Sequence, residues 1–310
     1  MSRMSSETLD PRLNVYSPEL ADSRLQGQVD AERFVDGEPA MVQMSCLPLK
    51  PRPAADASQD TQLLYGEPVR VFYANRGGWA WVQSDWDGYV GWCPADALAM
   101  GQVPRPTHRV SALRAPIYSK PTIKEGARGF LSINATIVAQ PTEGDPKDPN
   151  DEFLKTPRGF VWAGHLADAA THESDLVAVA RRFVDLPYIW GGRASDGVDC
   201  SGLVQMAAMA CGFDCPRDSD MQEDRFGTAL AGTDVSVLEH GDLVFWKGHV
   251  GLVTQDQAGQ GEMLLHANGY HMAVVEEPLA PALERIRTRS FGGVTRLRRP
   301  PRSKNDAGAR

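Results

Sequence analysis

The sequence predicts an α+β chain in which two small all-β barrels precede a domain that runs from helices into an antiparallel sheet. Three observations support this. Short β-rich runs joined by glycine turns occupy roughly residues 40–168. A weak internal repeat divides that stretch in two. From Ser174 the apolar spacing becomes helical, and after Gly241 it becomes that of strands.

A length of 310 residues suggests two or three domains. The expected divisions are an N-terminal arm (1–39), a first barrel (40–103), a second barrel (104–168), a larger domain (172–300) and a disordered tail (301–310). In the arm, a short helix is expected near Pro18 to Leu25. In the first barrel, Glu67–Tyr73 and Trp79–Gln83 read as strands around the turn Asn75–Gly78, and Asp87-Gly88 turns the chain into Tyr89–Trp92. Trp79, Trp81, Trp86 and Trp92 fall in this stretch and are expected to pack on the barrel. The repeat is visible as Ser45-Cys-Leu…Pro53 echoed by Ser111-Ala-Leu…Pro121, and Gly88-Tyr-Val…Leu98 echoed by Gly159-Phe-Val…Leu166. The insertion Glu143–Asp151 is expected to be an exposed acidic loop.

In the larger domain, Leu176, Val177, Val179, Ala180, Phe183 and Val184 fit one helix face, with Ser174 as N-cap and Pro187 as stop. A second apolar helix is expected from Cys200 to Met209. Asp242–Trp246, His249–Thr254, Glu262–His266 and His271–Val275 read as strands.

Lys and Arg number 32 against 40 Asp and Glu, a net charge of -8. That balance argues against a nucleic-acid partner and offers no polybasic hook for a membrane. No run of about 18 apolar residues is present. Met1 to Gly27 lacks the basic start and apolar stretch of an export leader, so a cytoplasmic location is expected. The five cysteines are Cys46, Cys93, Cys200, Cys211 and Cys215, an odd count that does not read as a disulfide framework. Cys211 and Cys215 have no second pair to complete a zinc set, and no phosphate loop or dinucleotide fingerprint is present, so neither cofactor nor metal is expected.

One cysteine is placed for chemistry. In Asp199-Cys200-Ser201-Gly202 it opens the second helix, where unpaired N–H groups and the dipole favour thiolate and suit an oxyanion. Its pKa is therefore expected to fall. A thiolate needs an imidazole partner. His249 lies in Gly248-His-Val-Gly-Leu-Val253, and His266 follows on what reads as the adjacent antiparallel strand, where pairing sets the two rings side by side to fix the tautomer.

Pro187-Tyr-Ile-Trp-Gly-Gly192, Asp199-Cys-Ser-Gly202, Pro216-Arg-Asp-Ser219, Gly241-Asp-Leu-Val244, His249-Val-Gly-Leu252 and Leu265-His-Ala267 come in the order seen in the NlpC/P60 cysteine peptidases, and this domain resembles that family. The resemblance implies a papain-like fold and hydrolysis of the bond from the γ-carboxyl of D-Glu to a diamino acid in cell-wall peptides. It implies Cys200 as nucleophile, His249 as general base, His266 as the residue orienting that base, and Tyr188 as an oxyanion donor. Asp199 and Ser201 would line the substrate pocket, and Arg217 and Ser219 would hold the free carboxylate of D-Glu.

The barrels resemble bacterial SH3-like domains. With two of them in front, the chain resembles intracellular enzymes that act on small murein peptides with a free N-terminal L-Ala. By that resemblance the first barrel closes one end of the cleft, and Glu67 and Tyr89 join Asp199 around the α-ammonium. Plainer readings stand beside these. Tyr188 can simply pack its ring, Arg217 and Ser219 can form a cap network with Asp218, Glu67 can be a solvated strand residue, and Tyr89 can belong to the barrel core. Two other functions stay open: an exported peptidoglycan hydrolase anchored to the wall by its barrels, and a non-catalytic scaffold that binds murein peptides.

Overall fold

Alternation along Glu67–Gln83 builds the central hairpin of the N-terminal sheet in the computed structural model, which describes residues 9–142, 152–256, 258–259 and 261–302. The chain divides into two units after Arg105.

In the N-terminal unit a five-stranded antiparallel sheet runs in the order Val90–Pro94, Trp79–Ser84, Pro68–Ala74, Glu38–Val42, Leu98–Met100. Val69, Val71, Ala80 and Val82 point inward, as the period of two requires. The hairpin closes because the Asn75 carbonyl accepts from the N–H of Gly78, whose φ of 80° suits a residue without Cβ. Trp81 and Trp92 stack across neighbouring strands with centroids 5.8 Å apart. Cys46–Leu49 and Thr61–Leu64 form a second hairpin.

The arm differs from expectation. Over Pro18–Leu25 there is no α-helix. Ala21–Asp22 pairs in parallel with Phe34–Val35, and Ser23–Leu25 is a single 3-10 turn. The Asp22 carboxylate takes the N–H of Arg24, the local competition that keeps Asp out of helix interiors. The arm is strapped to the barrel. Gln83 Nε2 donates to the Leu13 carbonyl, Val90 N–H donates to that of Arg12 (both 2.8 Å), and Val15 and Leu20 pack with Phe72 and Val90.

The second unit begins with three small antiparallel sheets. Their strands are Thr136–Ile137, His108–Val110 and Leu166–Asp168; Arg114–Ile117 and Gly129–Ser132; and Gln140–Pro141, Phe153–Thr156 and Gly159–Trp162. The insertion Glu143–Asp151 and the tail beyond Arg302 lie outside the described residues. This β region is fastened to the helices behind it. Asn134, buried and at φ 69°, donates its amide to the Met206 carbonyl at 2.9 Å and accepts from Arg109 at 3.3 Å. Ser195 N–H donates to Ser132 Oγ.

Helix α1 (Leu176–Arg181) is shorter than expected, and its N-cap is Asp175, not Ser174: the carboxylate accepts from Ala178 N–H at 3.0 Å. It stops well before Pro187. Asp185 turns left-handed at φ 70° and gives its N–H to the Val274 carbonyl, which ties this segment to the sheet. Helix α2 (Cys200–Ala210) is buried at every position except Met209, so it is the central helix. Helices α3 (Ser219–Arg225) and α4 (Leu279–Arg289) follow.

The six-stranded sheet that receives α2 is antiparallel throughout. Its order is Thr228–Ala229, Arg296–Arg299, Leu243–Trp246, His249–Gln255, Glu262–Asn268, Ala273–Pro278. His271 lies in the turn before the last strand rather than in it.

Candidate active site

Two glycines decide where α2 begins. A Cβ on Gly202 would sit 2.1 Å from the Gly192 carbonyl oxygen, and one on Gly192 would sit 2.6 Å from that of Gly197. The loop Trp190–Gly197 therefore lies flat against the first turn of the helix. Asp199 caps this turn: Oδ1 accepts from Gly202 N–H at 2.7 Å and Oδ2 from Gly191 N–H at 2.9 Å. Cys200 is the first helical residue and is 7% exposed.

The backbone N–H groups of Ser201 and Val250 favour the charged form of the Cys200 sulfur. Val250 follows His249, so the thiol rests on the start of the strand that carries the imidazole. The sequence expectation for its acidity needs correcting. Burial, reinforced by the Asp199 charge, pushes the thiol up to about 12 against the opposing help of those N–H groups and of Arg217. Burial likewise holds His249 well below its ordinary pKa, helped by His266 and Arg285.

Strand register explains why the two histidines meet. Leu252 pairs with Leu265. Extending that register by one residue sets Gly251 opposite His266, and His249 shares their face. A Cβ on Gly251 would stand 3.3 Å from His266 Cβ, so the glycine leaves the space in which the rings meet. His249 Nε2 lies 2.9 Å from His266 Nδ1, which leaves Nδ1 of His249 outside this pair. Phe291 stacks on the His249 ring at 4.8 Å and 8°, and Trp246 packs beside it at 5.5 Å.

Sequence reasoning missed the far side of His266. Its Nε2 is 2.8 Å from Glu277 Oε1 and 3.0 Å from Asn268 Nδ2. Arg285 on α4 donates to both Glu277 oxygens, at 2.6 and 2.5 Å. Burial alone would raise the Glu277 pKa, but His266 and Arg285 outweigh it and hold the carboxyl well below its usual range. The available signal was register: Val275 pairs with His266, so Glu277 lies two residues further along the same face.

The other expected residues are placed as follows. Tyr188 is half-buried; burial raises its pKa, and negative charge on Cys200, when it ionises, and on Asp199 adds to the rise, which puts its ring in their neighbourhood. Ser201 is buried and takes a bond from Arg217 at 2.9 Å. Arg217, 1% exposed, grips Asp199 with both terminal nitrogens, at 3.0 and 2.8 Å. Ser219 opens α3 and is half-buried. Glu67 and Tyr89 belong to the N-terminal unit and are both buried there. Glu67 is not a solvated strand residue, because its carboxylate accepts from Leu64 N–H at 3.0 Å.

A thiol at a helix start, an imidazole at a strand start and a polar group behind that imidazole define a cysteine peptidase of papain-like fold. The NlpC/P60 family profile matches residues 185–285, and a bacterial dipeptidyl-peptidase Sh3 domain matches 49–98. The gamma-D-glutamyl-L-lysine dipeptidyl-peptidase of Bacillus subtilis is 30% identical over 227 residues, covering 66% of this chain and 71% of that protein. Dipeptidyl-peptidase 6 of Lysinibacillus sphaericus is 24% identical over 208 residues, covering 62% of this chain and 75% of that one. A crystal structure of an NlpC/P60 family protein from Bacillus cereus superposes with a TM-score of 0.66 at 22% identity, covering 84% of this chain and 99% of that chain. The chain belongs to the NlpC/P60 family.

Proposed function

We propose that this enzyme hydrolyses the γ-D-glutamyl–diamino acid bond of murein peptides with a free N-terminal L-Ala, and does so in the cytoplasm on peptides released by wall turnover. The observation that carries the chemistry is the 2.9 Å His249–His266 pair, with His249 on the strand whose Val250 backbone acts on the helix-opening thiol. The names of the relatives that match both β and catalytic regions support the substrate class. Five free cysteines fit a reducing compartment.

In the reaction, Cys200 Sγ attacks the γ-carbonyl carbon as His249 Nδ1 takes the thiol proton. The oxyanion is met by N–H groups at the start of α2 and by the Tyr188 hydroxyl. The C–N bond breaks as His249 returns the proton to the leaving amine. A water molecule, deprotonated by His249, then cleaves the thioester and frees L-Ala-D-Glu. Arg217 and Ser201 shape the pocket floor through Asp199. Ser219 is the candidate group for the D-Glu carboxylate.

The test is incubation with L-Ala-γ-D-Glu-Lys and L-Ala-γ-D-Glu-meso-diaminopimelate. Dipeptide release that disappears in Cys200→Ala and with N-acetylated substrate supports the proposal. Equal cleavage of the N-acetylated peptide overturns the free-amine requirement. Cell fractionation tests the location, and a periplasmic or wall-bound pool would contradict it.

A further inference from the structure

The proton on His266 has two competing neighbours. Asn268 Oδ1 accepts the N–H of His271 at 2.8 Å, so the Asn268 amide turns its NH2 toward His266 Nε2. A donor there favours a bare Nε2. Glu277 Oε1, at 2.8 Å from the same nitrogen, favours N–H. The contest is unequal, because a hydrogen bond to an ionised carboxylate is about twice as strong as a neutral one. Arg285 keeps Glu277 ionised and fixes its plane through both oxygens.

We propose that Glu277, held by Arg285, is a positioning residue: it fixes the proton of His266 on Nε2, so that His249 donates from Nε2 and presents an unprotonated Nδ1 to Cys200. The proposal rests on the cysteine-peptidase reading of the site and is independent of the substrate. The proton inventory closes in one direction only. With Nε2–H of His266 given to Glu277, Nδ1 of His266 is an acceptor, and the 2.9 Å contact to His249 requires a proton on His249 Nε2. When the thiol proton reaches His249 Nδ1, the imidazolium faces an acceptor backed by a carboxylate. The charged and titratable groups around this path are His266 and Glu277 on the two paired strands, His271 in the turn (Nε2 3.5 Å from Glu277), and Arg285 on α4, which lies over the Tyr270 ring at 4.6 Å.

Glu277→Gln tests this. Its carboxamide oxygen is claimed by the two Arg285 donors, which turns NH2 toward His266 and moves the His266 proton to Nδ1. His249 then carries its proton on Nδ1, facing the sulfur. A wrong tautomer costs about 10⁴ in kcat when the orienting carboxylate touches the catalytic ring. One ring removed, a loss of about 10²-fold is expected.

The readout is the rate of carboxamidomethylation of Cys200 by iodoacetamide, mapped by mass spectrometry across pH 5–9 and needing no peptide substrate. Expected in Glu277→Gln is a loss of about tenfold or more in alkylation rate at neutral pH, with kcat on the dipeptide-releasing substrate down about 10²-fold and KM held. Glu277→Asp recovers part of both. Arg285→Met leaves the carboxylate and loses less. It also moves the acid limb of the alkylation profile to higher pH, because removing a cation eases protonation of the histidines. Arg287→Met, on the exposed side of α4, is the control. Alkylation of Glu277→Gln within twofold of the parent at every pH overturns the proposal. So does an equal loss in Arg285→Met with an unshifted profile, since Glu277 would then be only that arginine's structural partner. That comparison with Arg285→Met and Glu277→Asp still decides if Glu277→Gln does not fold. Normal alkylation behaviour in a protein that cleaves no γ-D-glutamyl peptide would defeat the substrate assignment alone.

Discussion

Replacing Arg217 with Met deletes the cation that faces Asp199 under the nucleophile helix. The pair is buried, with the arginine 1% exposed, and is joined by bonds of 3.0 and 2.8 Å. Removing one partner of such a pair costs about 3–5 kcal/mol, because a charge is left in a poor dielectric without its counterion. Here the carboxylate keeps the N–H groups of Gly191 and Gly202, so the lower end, about 3 kcal/mol, is expected. That is a large share of a typical 5–15 kcal/mol stability. Asp199→Asn in the same background removes the stranded charge and keeps an oxygen for the cap, so the double variant should regain about 1–2 kcal/mol. Hydrogen exchange of the segment 200–210, with guanidinium midpoints beside it, reads both changes where they originate. The reasoning fails if Arg217→Met costs under about 1 kcal/mol, or if the double variant loses the sum of the two single effects.

Three further outcomes are expected. Gly251→Ala would set its new carbon 2.7 Å from Leu264 Cδ1 and 3.3 Å from His266 Cβ, so the Leu264 side chain shifts and His266 gives by a few tenths of an ångström; kcat falls about tenfold with little change in KM, measured by steady-state kinetics. Asn134→Ala puts a residue less tolerant of the left-handed region at φ 69° and strips the amide bond to the Met206 carbonyl; the unfolding free energy, read by urea titration, should drop by about 2–4 kcal/mol, and Asn134→Gly should lose less. Burial depresses the folded-state pKa of both His249 and His266. Unfolding lets them take up protons near pH 6.5, so stability is full above that value and falls as pH drops below it, by up to ~1.4 kcal/mol per pH unit for each. Urea midpoints at pH 7.5 and 5.5 check the sign, and a midpoint unchanged or higher at pH 5.5 contradicts it.

Local chemistry made much of the fold readable. The hairpin around Asn75–Gly78 and the helix opened by Cys200 are fixed by turn geometry and by an N-cap carboxylate, both short-range effects. The arm over Pro18–Leu25 was misread because the capture of the Arg24 N–H by Asp22 outweighs helix formation. The cap of α1 was misread by one residue because Ser174 and Asp175 are both competent caps and sequence does not separate them. The thiol acidity was misread for a different reason. The helix start is a local property, whereas the burial that opposes it depends on the strand beginning at His249 and the loop at Trp190–Gly197.

Residue types and their order along the chain therefore determined the family and singled out Cys200 as the candidate nucleophile with His249 and His266 as its candidate partners, since each stands in a short motif whose chemistry is local. Only the tertiary structure decided what lies behind them. Glu277 meets His266 through strand register, and Arg285 reaches Glu277 from a helix. Asp199 is satisfied by an arginine eighteen residues away in sequence. These groups meet because distant segments pack, and packing sets both the protonation of buried charges and the direction in which a proton can move.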